Sequence, residues 1–291
     1  MATKRLLQIV ASYNPPVLYL VADGPKSGSN EDGRLVRENL KLLSNFNGAV
    51  DCRYILAETN LGLKVRFQTA LDQVFSEIPW AVILEDDCHV DSSFFPFAEW
   101  ALEHFAEDKS IGSISAHNPA PWPLPFCRLS QVPRIWGWAT WADRWTSNRR
   151  LPPRAFRGEP ELAATVNLIK GRSSRYLIRR LTREQIASRT WDVEFALNEV
   201  QLQRYCLLPP VNLVSNIGNV VPGTHRQDWA HLEVPKVGRI PKRHLELLPN
   251  FSLSATDFYE DIFRLVRYIF ALTSSPKKGF VWLKRELAHR N

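Results

Sequence analysis

Hydrophobic positions in the first 118 residues follow two alternating patterns, one typical of helices and the other of buried strands. Four segments carry apolar side chains at helical spacing: 3–13, 30–43, 64–78 and 92–108. Four shorter apolar runs have the length of buried strands: 17–24, 49–57, 80–87 and 111–118. Strands that alternate with helices over this length predict an α/β fold, built on a doubly wound sheet with helices on both faces.

Beyond residue 119 the pattern becomes irregular, and fewer elements can be predicted. Residues 134–145 form an aromatic cluster, and 172–187 are a basic stretch of helical character. A helix is predicted to begin near Thr190, and a strand or a pair of strands is predicted over 206–216. Neither half of the chain contains an internal repeat.

Basic residues are concentrated at the C-terminal end of the chain. The formal net charge is +7, and the residues from Lys236 onward hold eleven Lys and Arg against five Asp and Glu. The preceding residues hold 26 against 25, so we expect a nearly neutral domain over 1–235 and a basic helical extension over 236–291. A nucleic-acid-binding protein would carry its basic surface on the folded domain, and the charge distribution therefore argues against nucleic acid as a partner.

Residues 257–272 of the extension carry an apolar stripe on one face and charged residues on another, which predicts an amphipathic helix. Together with the basic residues around it, this helix could make a peripheral contact with an anionic membrane. The helix could also pack back on the domain, an alternative favoured by three phenylalanines that widen its apolar surface. The sequence leaves both interpretations open.

The overall composition is typical of a globular protein in a reducing compartment. Hydrophobic residues make up 45% and charged residues 23% of the chain, which excludes disordered and fibrous classes. The four cysteines stand far apart without a Cys-x-x-Cys pair, so we expect neither a zinc ribbon nor a disulfide framework. The sequence shows no signal peptide and no apolar run of membrane-spanning length, which predicts a cytoplasmic protein.

Three consecutive carboxylates end the third predicted strand. The run from Trp80 stops at Glu85, Asp86 and Asp87, and the first strand likewise ends at Asp23. Because ligands of doubly wound sheets bind beyond the carboxyl ends of the strands, these side chains are expected at a site. Mg²⁺ and Mn²⁺ often bind through one or two carboxylates together with substrate phosphates. Ordinary turns, helix caps or ion pairs would give the same residues, and they remain the alternative.

Three other segments carry candidate groups. Lys64 and Arg66 stand at a predicted helix start, where cations are unfavourable unless an anion such as a diphosphate lies nearby. Asp192 follows Trp191 at another helix start, where it could act as a general base at a sugar hydroxyl or simply cap the helix. His225 lies in a loop, where a single His is more often a surface residue than a ligand.

Taken in order, these segments resemble one family of enzymes. The motifs are "VLYLVADGP", "NLGLKVRFQTALDQVF", "VILEDDCHVDSSFFPFAEW", "RIWGWATW", "TWDVEF" and "VNLVSNIGN" followed by "GTHR". They resemble the GT-A-fold glycosyltransferases that use nucleotide sugars, in particular the bacterial family-2-like, HlpA-like group, and more distantly the inverting N-acetylglucosaminyltransferase I. The resemblance runs from about residue 3 to about residue 230. It implies a GT-A-type mixed sheet flanked by helices and a divalent metal cofactor, Mn²⁺ or Mg²⁺.

The resemblance also implies roles around the donor. Asp87 matches the acid that coordinates the metal bridging the donor diphosphate, and His225 matches a His that can complete this metal or diphosphate site. Asp86 matches a position near the ribose, and Glu85 one near the donor sugar. Asp23 matches the strand-end acid that meets the nucleotide base.

The remaining matches lie along the nucleotide and at the acceptor. Lys64 and Arg66 fall in the stretch that follows the nucleotide, and Asp192 falls where the catalytic base is expected. The residues that match the cleft between donor and acceptor are aromatic or small: Trp136, Gly137, Trp138 and Trp191. The expected reaction is an inverting transfer of a hexosyl or N-acetylhexosaminyl group, with a UDP-sugar favoured as donor. The acceptor would be a glycan or glycolipid in bacterial surface polysaccharide or glycolipid synthesis.

The sequence departs from the family at its start. Relatives begin with a strand that carries an Asn-Arg-Pro-like motif, whereas this sequence starts at the following helix. We expect either a longer protein, which the intact remaining motifs favour, or a copy that lacks part of the nucleotide site. The second case leads to an alternative function, a non-catalytic protein that binds sugar nucleotides or glycans. A nucleotidyltransferase is a third hypothesis, although its Gly-rich N-terminal loop is not seen.

Overall fold

The computed structural model describes residues 2–46, 51–120, 123–124, 126–151, 164–169, 175, 178–179, 190–216 and 237–240. The amphipathic helix predicted at 257–272 and the metal ligand predicted at His225 lie outside the described residues, as does most of the basic stretch at 172–187.

The first half of the chain forms the predicted alternation of helices and strands. In chain order the elements are α1 Ala2–Tyr13, β1 Val17–Ala22, α2 Asn30–Ser44, β2 Asp51–Leu56, α3 Leu63–Glu77, β3 Trp80–Ile83, β4 Cys88–Val90, α4 Phe94–His104 and β5 Ile111–Ser115. Strand β3 ends earlier than predicted, since Ile83 is its last residue and the carboxylates lie beyond it. The short strand β4 was not predicted, because three residues carry no usable period.

The second half is more regular than the sequence suggested. Its described elements are β6 Arg128–Ser130, β7 Trp138–Trp141, α5 Ala142–Arg149, α6 Trp191–Gln201, β8 Tyr205–Leu208 and β9 Val214–Asn216. The aromatic segment 134–145 forms both β7 and α5. Neither element was predicted, because buried tryptophans such as Trp138, Trp141 and Trp145 hide the alternation of buried and exposed positions that marks a strand. The helix predicted to begin near Thr190 is confirmed as α6, with Thr190 at its N-cap position. For residues 206–216 the sequence predicted either one strand or a pair of strands, and the structure has two, β8 and β9.

The strands form one large sheet and two small ones. The large sheet is mixed and has five strands in the order β3-β7-β5-β8-β6, in which β5 and β8 are parallel. Strands β1 and β2 form a parallel pair, and β4 and β9 form an antiparallel pair. The α/β class with a mixed sheet is therefore confirmed. Among the described strands, however, β1 does not join the sheet that contains β3, although one doubly wound sheet was predicted.

Helix α1 connects the pair β1–β2 to the rest of the core. Its Leu6 and Val10 belong to the main apolar cluster, which is built around α4 and β5. Its Leu7 instead packs with Leu20 of β1 and Leu43 of α2. One amphipathic helix thus buries apolar side chains in both clusters. This packing joins the pair β1–β2 to the main core, to which β3 also belongs.

An aromatic cluster attaches α6 to the sheet. Trp138 of β7 and Trp145 of α5 pack with Trp191 and Phe195 of α6. The ring centroids of Trp138 and Phe195 lie 4.9 Å apart, within the range of favourable aromatic pairs. Trp145 also donates a hydrogen bond of 2.7 Å from Nε1 to Asp72 of α3. Three helices and one strand therefore converge beside the end of β3.

Residues 237–240, just beyond the predicted domain boundary, pack against the core. The backbone N–H of Gly238 donates to the Asn212 carbonyl at 2.7 Å, and the N–H of Ile240 donates to Ser93 Oγ at 3.0 Å. All four cysteines are free thiols, as the sequence predicted. Within the described part of the chain, every helix is too short or too polar to cross a bilayer.

Gly137, the residue before β7, has a backbone conformation that glycine adopts without strain. Its φ is +63°, and a Cβ built there would lie 2.9 Å from Val90 Cγ1. We expect Gly137→Ala to lower the free energy of unfolding by about 1–3 kcal/mol, through backbone strain and crowding together. Urea denaturation measures the loss.

Gly28 provides the matched control, since its φ is +76° but nothing lies within 4 Å of a Cβ built there. Gly28→Ala should therefore show only the cost of the backbone conformation. Equal losses in the two variants would mean that crowding at Gly137 is unimportant.

Candidate active site

The three consecutive carboxylates lie on a tight turn at the carboxyl end of β3. The backbone N–H of Cys88 donates to the Glu85 carbonyl at 3.0 Å, which closes a four-residue turn with Asp86 and Asp87 at its centre. Asp86 is exposed, while Glu85 and Asp87 are half-buried. Among the described Lys and Arg side chains, none forms an ion pair with these three residues. We name this segment, residues 85–88, the carboxylate turn.

The carboxylate turn concentrates negative charge in a partly desolvated place. Burial, followed by the charges of Asp87, Asp192 and Asp86, raises the pKa of Glu85 to about 8. Although the Asp86 side chain reaches solvent, the protein around its carboxyl group removes part of its hydration, and this desolvation and the charge of Asp87 raise the pKa of Asp86. The Cys88 thiol has a raised pKa as well, from its burial and then from the charges of Asp87 and Glu85. A cation placed here would relieve the repulsion among these groups.

Helix α6 brings Asp192 to the carboxylate turn. Asp192 lies in the first turn of α6, and its charge contributes to the raised pKa of Glu85, 107 positions earlier in the chain. The start of α6 is clipped to the start of α3 by two contacts. Lys64 forms an ion pair with Glu194, and the ring of Phe67 stacks on Trp191 with centroids 3.6 Å apart. We call these two contacts the α3–α6 clip.

Asp23 is engaged by the loop that precedes α3. Its Oδ1 accepts from the N–H groups of Gly24 and Leu61, both at 2.9 Å. Its Oδ2 accepts from the Gly62 N–H at 3.0 Å and from the Asn60 side-chain amide at 3.1 Å. Four donors occupy the lone-pair positions of one carboxylate. Asp23 thus fixes the entry to α3, and contact between Asp23 and a nucleotide base stays a prediction.

The two cations predicted near the diphosphate are held by the protein itself. Arg66 is only 9% exposed, and its Nη2 donates to the Ile55 carbonyl. Burial lowers the pKa of Arg66, while the charge of Asp23 acts in the opposite direction. Lys64 is more exposed but is paired with Glu194 across the clip. A role for Arg66 or Lys64 along a nucleotide would require these contacts to be exchanged or shared.

The tryptophans of the predicted cleft differ in their exposure. Trp138 and Trp191 are almost fully buried in the aromatic cluster, where they pack α6 against the sheet and present almost no surface to a ligand. Trp136 is half-buried and stacks on His117, with ring centroids 4.9 Å apart. His117 was not identified from the sequence. The available signal was its position directly after β5, at the same edge of the sheet as Glu85.

Carboxylate oxygens at the turn are the protein groups that could hold a divalent metal. Mg²⁺ and Mn²⁺ prefer oxygen ligands, and Asp86 and Asp87 supply them in a region of concentrated negative charge. Across the described ranges, no three His, Cys, Asp or Glu side chains are arranged to hold a metal ion together. The residues therefore fit a metal that draws other ligands from a bound phosphate or from water, and they do not form a closed protein cage.

The raised pKa of Glu85 should appear in the pH dependence of stability. Between the ordinary pKa of 4.5 and about 8, the folded protein keeps a proton on Glu85 that the unfolded chain releases. The free energy of unfolding should therefore fall as pH rises through this interval, by on the order of a few kcal/mol. We expect Glu85→Gln to remove this component. Denaturation at pH 5 and pH 8, with a chelator present, measures it.

The matched control is Glu58→Gln, at an exposed position in the loop after β2. This variant should keep the pH dependence of the unmodified protein. If Glu85→Gln also kept it, Glu85 would not be crowded by its neighbours as described.

Comparisons with known proteins do not assign the chain to a family. No protein-family model matches it, and no curated protein sequence is significantly similar to it.

Proposed function

We propose that the protein is an inverting glycosyltransferase of the GT-A fold. It would transfer a hexosyl or N-acetylhexosaminyl group from a nucleotide-diphosphate sugar to a hydroxyl of a glycan or glycolipid. The observation that carries the proposal is the anchoring of the start of α6 on α3, which leaves Asp192 close enough for its charge to act on Glu85 of the carboxylate turn. Such a transfer needs a group that accepts a proton from the acceptor close to a group that neutralises the leaving diphosphate.

The carboxylate turn suits the donor side of this reaction. Asp87 would hold a divalent ion through its carboxylate oxygens, Asp86 beside it would lie near the ribose, and phosphate oxygens of the donor would provide further ligands to the ion. The ion, Mn²⁺ or Mg²⁺, would neutralise negative charge on the diphosphate as it leaves. Glu85 is half-buried at the start of the turn and would meet a sugar hydroxyl as a hydrogen-bond partner.

Asp192 suits the acceptor side. Its carboxylate would accept the proton of the acceptor hydroxyl while that oxygen bonds to the anomeric carbon and the bond to the diphosphate breaks. Because acceptor and leaving group lie on opposite faces of the sugar, the configuration inverts. Half-buried Trp136 can contact a sugar ring at the same edge, whereas buried Trp138 and Trp191 keep the start of α6 in place.

A second candidate function is the binding of sugar nucleotides or glycans without turnover. The engagement of Asp23 by four internal donors favours it, as does the hydrogen bond of Arg66 to Ile55, because both residues were expected to contact the nucleotide. Under this alternative, UDP-sugars with Mn²⁺ would raise the melting temperature of the protein, but no sugar would be released or transferred.

Turnover of a nucleotide sugar by the unmodified protein separates these two functions, and substitution of Asp87 and Asp192 tests the roles assigned to them. We expect Asp87→Asn and Asp192→Asn each to lower donor turnover by about 10²-fold or more, because each removes charge needed in the transition state. The assay measures sugar release from a panel of UDP-, GDP- and dTDP-sugars with Mn²⁺ or Mg²⁺.

The control for the turnover assay is Asp51→Asn, in β2, where the carboxylate pairs with Arg53. It should retain the activity of the unmodified enzyme. Full activity in both Asp87→Asn and Asp192→Asn would exclude the proposed roles. Stabilisation by UDP-sugars without any turnover would favour the binding protein instead.

A further inference from the structure

The second half of α6 is anchored by a buried polar cluster that the proposed chemistry does not use. Glu199 is only 1% exposed, and its Oε1 accepts from Asn148 Nδ2 of α5 at 2.8 Å. The same Nδ2 donates to the Phe195 carbonyl of α6 at 3.1 Å. In return, Asn198 Nδ2 donates to the backbone carbonyl of Asn148 at 3.1 Å. One asparagine of α5 therefore contacts three residues of α6, Phe195, Asn198 and Glu199, through both side-chain and backbone groups.

Strand β5 provides a slot for the Glu199 carboxylate. A Cβ at Gly112 would overlap Glu199 Oε2, so the carboxylate lies directly on the backbone of this strand. Gly112 is in turn fixed to β7, because its carbonyl accepts from Thr140 Oγ1 at 2.7 Å. Any longer residue at 112 would displace Glu199. The position of α6 along the central strand is thus set at Gly112.

Two arginines complete the cluster. The backbone N–H of Arg204 donates to the Glu199 carbonyl at 3.0 Å, and Arg204 Nη1 approaches Glu199 Oε1 at 3.5 Å. Arg144 is 1% exposed and stacks on Trp141, with its guanidinium carbon 4.2 Å from the ring centroid. Burial raises the pKa of Glu199, whereas the Asn148 hydrogen bond and the nearby arginines act in the opposite direction. Removal of one member would leave buried polar groups without partners.

Glu199 and Asp192 share one face of α6. They are seven residues apart, which corresponds to two turns of an α-helix and places their side chains on the same side. A rotation or slide of α6 that displaced Glu199 would therefore move Asp192 relative to the carboxylate turn. Catalysis is sensitive to such shifts, because a displacement of about 1 Å can cost about 10²-fold in rate.

We propose that Glu199 is a positioning residue, which sets the rotation and axial position of α6 through Asn148 and Gly112 and so holds Asp192 at the carboxylate turn. The effect of Glu199 on catalysis rests on the proposed function. The effect of Glu199 on the structure does not, because any movement at the start of α6 must loosen the α3–α6 clip.

Hydrogen–deuterium exchange tests this inference without any assumption about the substrate. In Glu199→Ala, exchange of the backbone amides should become at least 5-fold faster in two peptides, 190–196 at the start of α6 and 62–68 at the start of α3. Glu199→Gln keeps an oxygen for Asn148 and should restore slow exchange. Asn148→Ser removes the same hydrogen bond from the other side and should reproduce the effect if Glu199→Ala does not fold.

Val200→Ala is the matched control. Val200 is the next residue of α6, is equally buried, and packs in a separate apolar cluster with Val132 and Val166. It should leave exchange in the 62–68 peptide unchanged. The inference is overturned if exchange at 62–68 stays at the unmodified level in both Glu199→Ala and Asn148→Ser. It is also overturned if Val200→Ala accelerates that peptide to the same extent.

Kinetics add a second readout where a nucleotide sugar is turned over. For the best donor of the panel, Glu199→Ala should lower kcat at least 10-fold with donor KM within about 2-fold, because Asp192 is displaced while the donor site stays intact. Glu199→Gln should recover most of kcat. Equal kcat in Glu199→Ala and the unmodified enzyme would overturn the positioning role. Absence of turnover with every donor would count against the proposed function alone, since the exchange measurement still decides the inference.

Discussion

The crowding of carboxylates beyond β3 is the constraint on which the rest of the site depends. Glu85, Asp86 and Asp87 follow one another on a tight turn, and the charge of Asp192 in the first turn of α6 acts on Glu85. Burial and like charges so close both resist ionisation, and in that order they raise the pKa of Glu85. A fold that tolerates this arrangement must hold it by other contacts, and those contacts lie in the surrounding helices.

Contacts that hold the site form two sets. The α3–α6 clip and the aromatic cluster of Trp138, Trp191 and Phe195 fix the start of α6. The buried cluster around Glu199 fixes its other end against β5 and α5. Both ends of α6 are therefore held by specific contacts, an ion pair and aromatic packing at one end and buried hydrogen bonds at the other. Such fixed placement suits a helix whose first turn carries the proposed catalytic Asp192.

The sequence predicted local features well and relations between distant segments poorly. Alternating periods located the helices and strands up to β5, apart from the short strand β4, and Thr190 marked the start of α6. Most neighbours of Asp23 could not be foreseen, because three of its four donors come from a loop almost forty residues later. The pairing of Lys64 with Glu194 was equally hidden, since an exposed cation at a helix start gives no sign of its partner. The proximity of Asp192 to the carboxylate turn was expected only through the family resemblance, not from any local pattern.

A calorimetric titration with nucleoside diphosphates tests the central claim most directly, because it asks whether the carboxylate turn binds a diphosphate through a divalent ion. We expect UDP, or GDP or dTDP in its place, to bind the full chain when Mn²⁺ is present and to lose at least 10-fold in affinity in a chelator. The same loss should occur with Mn²⁺ present in Asp87→Asn. Equal affinity with and without Mn²⁺, or no binding of any of the three under either condition, would contradict a metal-assisted sugar-nucleotide site.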